Sequence, residues 1–437
     1  MSSTAFTWDR RGWNHWSLSA RALRLILSPL QILMAVPVPL FLATLAAMLL
    51  RPPNIQFFPI DRLLFGLLAI SVLARAVIER QAILSIERIS WPMLALATLA
   101  LVSVLRQPYE DEIWSILAAK FIVPFALFHL AQLVFTQEAR FRHFEGFAVF
   151  VLAYLSFTSI AFLAGARSLI FPRFILDASL GHHADRARGP LLQAVANGVS
   201  LNLLALVVLH SYRRASMRGT KVVLVLASVP VAILATMTRA VWLSFAGTVV
   251  VLIQRSSSRR VRSTGLVLAT LGVAALIVGL SMGDFGKTVG DRLREQGPLD
   301  YRQAVYAGGW HMFLQHPLTG WGFHSMPTKL PRFVSGYQEK ELYPHNTYLE
   351  LLVEHGVVGL GLYLWLMFEM WRLGRGELPA TGHGFLNRDF HRMWPILLAV
   401  YYVNAAVVVM SYQFVNGLLY TMAGMLAAQR RTATTKS

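Results

Sequence analysis

The sequence predicts an all-α polytopic membrane protein with about twelve transmembrane helices. Of its 437 residues 55% are hydrophobic and only 14% are charged, with a mean hydropathy of +0.52, whereas soluble domains carry about 25% charged residues. Apolar runs near or above the roughly 17–25 residues that cross a bilayer recur along the chain. Short basic segments separate many of these runs. These observations exclude an ordinary soluble globular protein.

The predicted spans follow the apolar runs, nine before a long polar connection and three after it. They lie near 28–50, 63–78, 91–105, 114–135, 147–165, 190–210, 221–237, 240–254, 264–282, 347–371, 394–411 and 414–429. The last two runs are separated only by Ser411, Tyr412 and Gln413. One bent helix is therefore an alternative to two spans at this point.

The basic clusters predict the orientation, because short cytoplasmic loops collect Lys and Arg. The clusters are Arg80 and Arg88; Arg140 and Arg142; Arg213, Arg214, Arg218 and Lys221; Arg255, Arg259, Arg260 and Arg262; Arg372, Arg375, Arg388 and Arg392; and Arg430, Arg431 and Lys436. Both termini are then cytoplasmic, and the first ~20 residues read as a retained tail without a cleavage site. The net charge of +18 becomes an orientation signal facing anionic lipid, and no nucleic-acid partner is predicted.

Two long loops on the outer side break the pattern of short connections. They span 166–189 and 283–346, and loops of this length are usually functional or disordered. The second has helical apolar spacing through Val305, Trp310, Phe313 and Leu314, which predicts amphipathic helices in a folded cap on the membrane surface. The chain then divides into nine N-terminal spans (1–282), the cap (283–346), and the C-terminal spans with a cytoplasmic tail (347–437).

Arg239 is the only charged residue between 222 and 253. The length of this run requires a tight hairpin, which puts Arg239 at the outer tip. An arginine at the bilayer centre costs roughly 2.5–3.5 kcal/mol on insertion scales. The side chain either snorkels to lipid phosphates or forms part of an anion site at the membrane surface.

Three more arginines are predicted on the same outer side. Arg186 and Arg188 precede the sixth span, and Arg302 opens the first cap helix. Each alone is a weak signal, because surface arginines are common. Together with Arg239 they gather several guanidinium groups, which recognise phosphate in a bidentate geometry. A lipid-linked diphosphate is the anion most available at that depth.

His345 lies just before a predicted helix. Asn346 is a good N-cap for a span that starts at Thr347, and Glu350 falls in its first turns. The positive end of the helix dipole disfavours an imidazolium at this position. A neutral imidazole is suited to act as a general base. The alternative, that His345 only orders the loop through local hydrogen bonds, stays open on the residues alone.

Other polar clusters carry weaker signals. The acidic run 110–112 could hold a divalent metal, but a solvated helix start is the favoured explanation. The side chains of His182 and His183 diverge because the residues are adjacent, so they make a poor metal pair. No metal and no cofactor are predicted, and no phosphate-binding loop or dinucleotide fingerprint is present. Close helix packing is predicted at Gly356, Gly359 and Gly361.

Three segments in order resemble the O-antigen ligase and polymerase superfamily of bacterial cell-envelope glycan assembly. They are Thr-Arg-Ala-Val-Trp-Leu at 238–243, Tyr-Arg…Trp…His-Pro-Leu-Thr-Gly-Trp-Gly at 301–322, and His-Asn-Thr-Tyr-Leu-Glu…Glu-His-Gly-Val-Val-Gly at 345–359. Arg-Gly-Pro…Ala-Asn at 188–197 is a looser fourth match. The first ~160 residues match only in hydropathy.

The resemblance implies a C-type glycosyltransferase-like fold in the bacterial inner membrane with a periplasmic active site. Such enzymes move a glycan from undecaprenyl diphosphate to an acceptor hydroxyl. By this likeness Arg239 and Arg188 would bind the diphosphate with Arg302 and Arg186 nearby, and His345 would activate or orient the acceptor. Tyr301 and Asn346 would support the site, and no metal would be needed.

The acceptor would be the lipid A core for a ligase or another lipid-linked glycan for a polymerase. We favour the ligase, because the span count, the compact length and the single large cap fit that group at least as well. A lipid-linked glycan transporter is the alternative from a different class. Transporters tend to be built from two matching halves, and no such symmetry is evident in the sequence.

Overall fold

The computed structural model describes residues 34–52, 59–181, 183–255, 297–336, 341–375 and 384–434. Within these ranges the regular structure is helical and contains no strand. The predicted tail over the first 20 residues, the predicted ninth span at 264–282 and His182 lie outside the described residues. The predicted cap is described only in part.

Helices follow one another along the described ranges. They are α1 Pro37–Leu49, α2 Pro59–Ile78, α3 Ser90–Leu105, α4 Asp111–Leu117, a π-helical turn Ala118–Ile122, α5 Val123–Val134, α6 Glu138–Leu163, α7 Ala194–Arg213, α8 Thr220–Ala235, α9 Arg239–Arg255, α10 Gly297–Gln315, α11 Met326–Lys329, α12 Thr347–Leu373, α13 Arg388–Ala405 and α14 Gln413–Thr434. Short 3₁₀ turns occur at Arg167–Leu169, Arg173–Leu176 and Leu330–Phe333.

Four of the described segments are long and apolar enough to cross a membrane. They are Asp111–Val134, Glu138–Leu163, Ala194–Arg213 and Thr347–Leu373. Shorter apolar helices are Pro37–Leu49, Ser90–Leu105 and Thr220–Ala235. The prediction of a helical membrane protein is confirmed, whereas the count of twelve spans, their orientation and the outer cap remain predictions.

One boundary differs from the sequence prediction, and one alternative is decided. Arg140 and Arg142 lie in the first turns of α6, because the helix begins before the apolar run does. The last two predicted runs form two helices, as predicted, and not the alternative of one bent helix, since residues 406–412 are non-helical between α13 and α14. We call these seven residues the 406–412 linker.

A π-helical turn separates α4 from α5. Val123 donates its backbone N–H to the carbonyl of Ala118, five residues back. In the same pattern residue 124 would donate its backbone N–H to the carbonyl of Ala119, but Pro124 has no N–H to donate. The side chain of Asn416 in α14 donates to the Ala119 carbonyl instead, at 3.2 Å. The turn is therefore locked to a distant helix by a side-chain hydrogen bond.

The loop after α10 docks into a break in α12. Gly356 has φ +63° inside the helix, and the backbone N–H groups of Trp321 and Gly322 donate to the carbonyls of Val353 and Glu354, both at 2.9 Å. The carbonyl of Pro317 accepts from Val357 at 2.9 Å. Gly356 thus allows a break in α12, where the loop after α10 makes the hydrogen bonds. This corrects the prediction of simple helix packing at this glycine.

Gly320 is expected to tolerate no side chain. Its φ is +70°, and an added Cβ would lie 2.4 Å from the backbone carbon of Glu354. We expect Gly320→Ala to lower the free energy of unfolding by about 2–4 kcal/mol, measured by denaturant titration of the detergent-purified protein. Gly361→Ala is the matched control, because nothing lies within 4 Å of the added atom. Equal stability of the two variants would contradict the proposed docking.

The apolar residues that the sequence spaces along α10 divide into buried and exposed ones. Val305 and Met312 are fully buried, and Phe313 is nearly so. Trp310 and Leu314 are 50% and 56% exposed, so these two do not pack inside the protein, and the predicted place of the helix on the membrane surface stays a prediction. The buried face packs against α12 and the 3₁₀ turn at Leu330–Phe333. The spacing of apolar residues within α10 does not by itself identify these partners.

Candidate active site

His345 occupies a constrained backbone segment directly before α12. Its φ is +46°, a left-handed conformation that a residue other than glycine adopts at a cost of order 1–3 kcal/mol. The hydroxyl of Tyr301 in α10 donates to the carbonyl of Tyr343 at 3.3 Å and accepts from the N–H of the same residue at 3.2 Å. The rings of Tyr301 and His345 lie 6.2 Å apart. The structure therefore brings together two of the predicted site residues.

Asn346 fixes the other side of His345. Its side-chain oxygen accepts from the N–H groups of Tyr348 at 2.9 Å and Leu349 at 3.1 Å, which confirms the predicted N-cap. The neighbouring Thr347 hydroxyl donates to the carbonyl of Val408 at 2.9 Å and accepts from Met410 N–H at 3.0 Å. The cap is thus joined to the 406–412 linker.

The 406–412 linker contacts the second and third family-like segments, and Asn404 just before it contacts α9, which carries most of the first. The sequence prediction missed this role. Tyr306 of α10 donates to the carbonyl of Ala406 at 3.3 Å. Just before the linker, Asn404 donates to the hydroxyl of Ser244 in α9 at 2.9 Å. The start of α12 contacts it through Thr347, as above. The one sequence signal was the polar trio at 411–413, which interrupts an apolar run.

Arg239 begins α9 at the tip of the α8–α9 hairpin, as predicted. The indole N–H of Trp242 donates back to the Ile233 carbonyl at 3.0 Å, which closes the hairpin across the turn. The side chain of Arg239 is partly buried. The backbone N–H of Ala187 donates to the carbonyl of Ala235 at 3.1 Å, so the loop that carries Arg186 docks against this tip.

Arg188 differs from the expected diphosphate ligand. Its side chain is 1% exposed, and its guanidinium donates to the carbonyls of Ile175, Asp177 and Leu180, with bonds to Ile175 of 3.1 and 3.2 Å. Because these carbonyls take its donors, Arg188 holds the loop after α6 in shape. Arg186 is half-buried with its Nε 3.9 Å from Asp185, and Arg302 is half-buried beside Tyr301.

A buried ion pair lies one turn below the cap of α12. Lys120, in the π-helical turn, contacts Glu350 at 2.5 Å, and the two side chains are 7% and 5% exposed. The sequence does contain a signal for this pair, because Lys120 and Glu350 are oppositely charged residues that each lie within an apolar run.

Two groups outside the spans have shifted pKa values near this pair and the His345 segment. Burial, and then the charge of Lys120, lowers the pKa of His324 to about 4, so His324 is neutral beside the lysine. Burial raises the pKa of Tyr343 well above its usual range, helped by its hydrogen bond to Glu341. The Tyr343 hydroxyl therefore stays protonated and donates to Glu341 at 2.6 Å.

The acidic run 110–112 forms a helix start. Asp111 and Glu112 are exposed in the first turn of α4, and Glu110 precedes them. Across the described ranges no group of three or more His, Cys, Asp or Glu residues is arranged to hold a metal ion.

Residues 222–364 match the model of the O-antigen ligase family, about a third of the chain. We refer to this matched range, which is similar to that family, as the ligase domain. The match confirms the resemblance to the ligase and polymerase superfamily, and the matched range contains Arg239, Tyr301, Arg302 and His345. No curated protein matches the chain.

The ligase domain implies glycan transfer with lipid-linked substrates in an integral protein of the inner membrane. Lys120, Arg186 and Arg188 lie before the matched range. Lys120 contacts the matched range through Glu350, whereas Arg188 donates to carbonyls of its own loop.

Proposed function

We propose that the protein is a ligase-type glycosyltransferase that moves a glycan from undecaprenyl diphosphate to a hydroxyl of the lipid A core at the periplasmic face. The observation that carries the proposal is the double hydrogen bond between Tyr301 and Tyr343. It joins the second family-like segment to the residues directly before the third and holds His345 at the start of α12. A strained histidine fixed from both sides is typical of a functional site.

The transfer is a direct displacement at the anomeric carbon. A ring nitrogen of His345 takes the proton of the acceptor hydroxyl as its oxygen attacks that carbon. The bond from the anomeric carbon to the diphosphate oxygen breaks, and the bonding electrons leave with the diphosphate. Attack opposite the leaving group inverts the anomeric configuration. Tyr301 and Asn346 act as positioning residues, because their bonds go to the backbone around His345.

Guanidinium groups stabilise the leaving diphosphate. Arg239 at the start of α9 is the principal ligand, with Arg302 beside Tyr301 and Arg186 on the loop docked to the hairpin. Fixed cations stabilise the negative charge that develops on the diphosphate in the transition state and so lower the barrier. The arginines therefore take the place of a metal ion in this reaction. Arg188 positions the loop of Arg186 through its carbonyl contacts and leaves the diphosphate to the other three.

Complementation of a gene deletion in the native host tests the assignment. Lipopolysaccharide and exopolysaccharide gels would be run with wild type, His345→Ala and Arg239→Gln, together with immunoblots of membrane insertion. A capped ladder restored by wild type alone supports the ligase. Loss of long polymer, with single repeats still reaching their acceptor, would indicate the polymerase instead. Full complementation by both variants would contradict the catalytic assignment and favour a transporter.

Arg239→Gln is expected to lower the transfer rate of the purified protein by about 10- to 150-fold, the range for one hydrogen bond to a charged group. Transfer of a lipid-diphosphate-linked glycan to lipid A core would be followed in detergent. Arg106→Gln is the control, because Arg106 is an exposed arginine at the end of α3. An equal loss of rate in both variants would mean that the total positive charge on the outer side, and not Arg239 in particular, determines the transfer rate.

A further inference from the structure

The end of the helix bundle opposite Arg239 contains a basic cavity of about 490 Å³. Helix α9 runs from Arg239 to Arg255, and seventeen helical residues extend about 25 Å. Arg255 lines the cavity together with Arg213, the last residue of α7, and Arg392 in the first turns of α13. The cavity is therefore separate from the candidate active site.

Its lining combines cationic and apolar groups. Three exposed guanidiniums face one carboxylate, Asp389, which leaves two positive charges in excess. The single ion pair between them is weak, because Arg392 and Asp389 lie 3.7 Å apart and are 62% and 54% exposed. Below the rim, Leu252 and the buried Met393 provide an apolar wall.

The cavity also lies at the end of a helix that is long and apolar enough to cross a membrane. α7 is one of the helices that can cross a bilayer, and Arg213 is its final residue. Phospholipid phosphates lie at that depth, and guanidinium is the side chain best matched to them. An apolar wall next to the cations suits the glycerol and upper acyl carbons of the same molecule, which a free phosphate ion lacks.

We propose that this cavity binds an anionic phospholipid, with its phosphate on Arg213, Arg255 and Arg392 and the start of its acyl chains against Leu252 and Met393. Basic recesses between transmembrane helices bind such headgroups in membrane proteins. The lipid ties the ends of α7, α9 and α13 together. The proposal is independent of the proposed function, because no residue of the cavity takes part in the transfer.

Lipid binding to the full chain purified in detergent tests the proposal, using native mass spectrometry and thermal unfolding. The probes are phosphatidylglycerol, zwitterionic phosphatidylcholine and inorganic phosphate. We expect only phosphatidylglycerol to bind and to raise the unfolding temperature. Replacing all three arginines by glutamine is expected to weaken its binding by about tenfold to a hundredfold.

The control removes three exposed cations from the same end of the bundle but outside the cavity: Arg142, Arg218 and Lys221, each to Gln. It should bind phosphatidylglycerol as wild type does. If the triple arginine variant does not fold, Arg213→Glu alone serves, and we expect it to lose affinity. Equal weakening by the control, wild-type affinity in the cavity variants, or inorganic phosphate binding as tightly as the lipid would each overturn the proposal.

Discussion

Replacing His345 by alanine is expected to lower glycan transfer by about 10²–10⁴-fold, the range for a lost general base, while the protein still folds and inserts. The fold should persist because the cap of α12 is made by the Asn346 side chain and not by the imidazole. The rate would be measured with purified protein at saturating donor and acceptor. His311→Ala is the control, since His311 is an exposed histidine of α10 in the same domain.

A second substitution separates chemistry from local structure. Asparagine adopts the left-handed conformation more readily than most residues, so His345→Asn preserves the backbone at φ +46° but supplies no base. We expect it to be as inactive as His345→Ala. Substantial activity in His345→Asn would assign His345 to ordering the loop, the alternative that the sequence left open.

The pH dependence of transfer provides an independent measurement. A protonated imidazole cannot accept the acceptor's proton, so wild-type activity is expected to fall on acidification. The residual activity of His345→Asn should lack that decline. An identical acidic decline in both proteins would place the titrating group elsewhere.

Breaking the Lys120–Glu350 ion pair is expected to destabilise the protein by about 3–5 kcal/mol, because either single substitution leaves an uncompensated buried charge. The pair is joined at 2.5 Å and almost fully buried. Lys120→Met and Glu350→Gln would each be measured by denaturant titration in detergent, and the double variant should recover most of the loss. The matched control is Arg75→Gln, which breaks an exposed pair with Glu79 at 2.7 Å and should cost less than about 1 kcal/mol.

The same pair positions the candidate base. Glu350 lies one turn after Asn346, so its link to the π-helical turn fixes the start of α12 relative to α4 and α5. We expect the double variant to fold but to transfer glycan more slowly than wild type. Additive costs of the two single substitutions would show that Lys120 and Glu350 do not interact and would contradict the coupling.

Features that depend on neighbouring residues could be predicted from the sequence. The apolar runs predict helices because burying backbone polar groups in lipid requires internal hydrogen bonds. The same hydropathy predicts the α8–α9 hairpin with Arg239 at its tip. The N-cap at Asn346 was predictable because the capping side chain acts within three residues. The family segments further singled out Arg239, Tyr301, Arg302 and His345 as candidates.

Features that depend on distant partners were decided only by the tertiary structure. Arg188 donates to three carbonyls of its own loop, and Lys120 pairs with a residue 230 positions away. The buried face of α10 and the break at Gly356 are set by the segments that dock there. Hydropathy and capping report on the local chain alone, whereas these partners are selected by how the helices pack. The sequence by itself therefore determined which residues are candidates, and the tertiary structure decided which of them can meet.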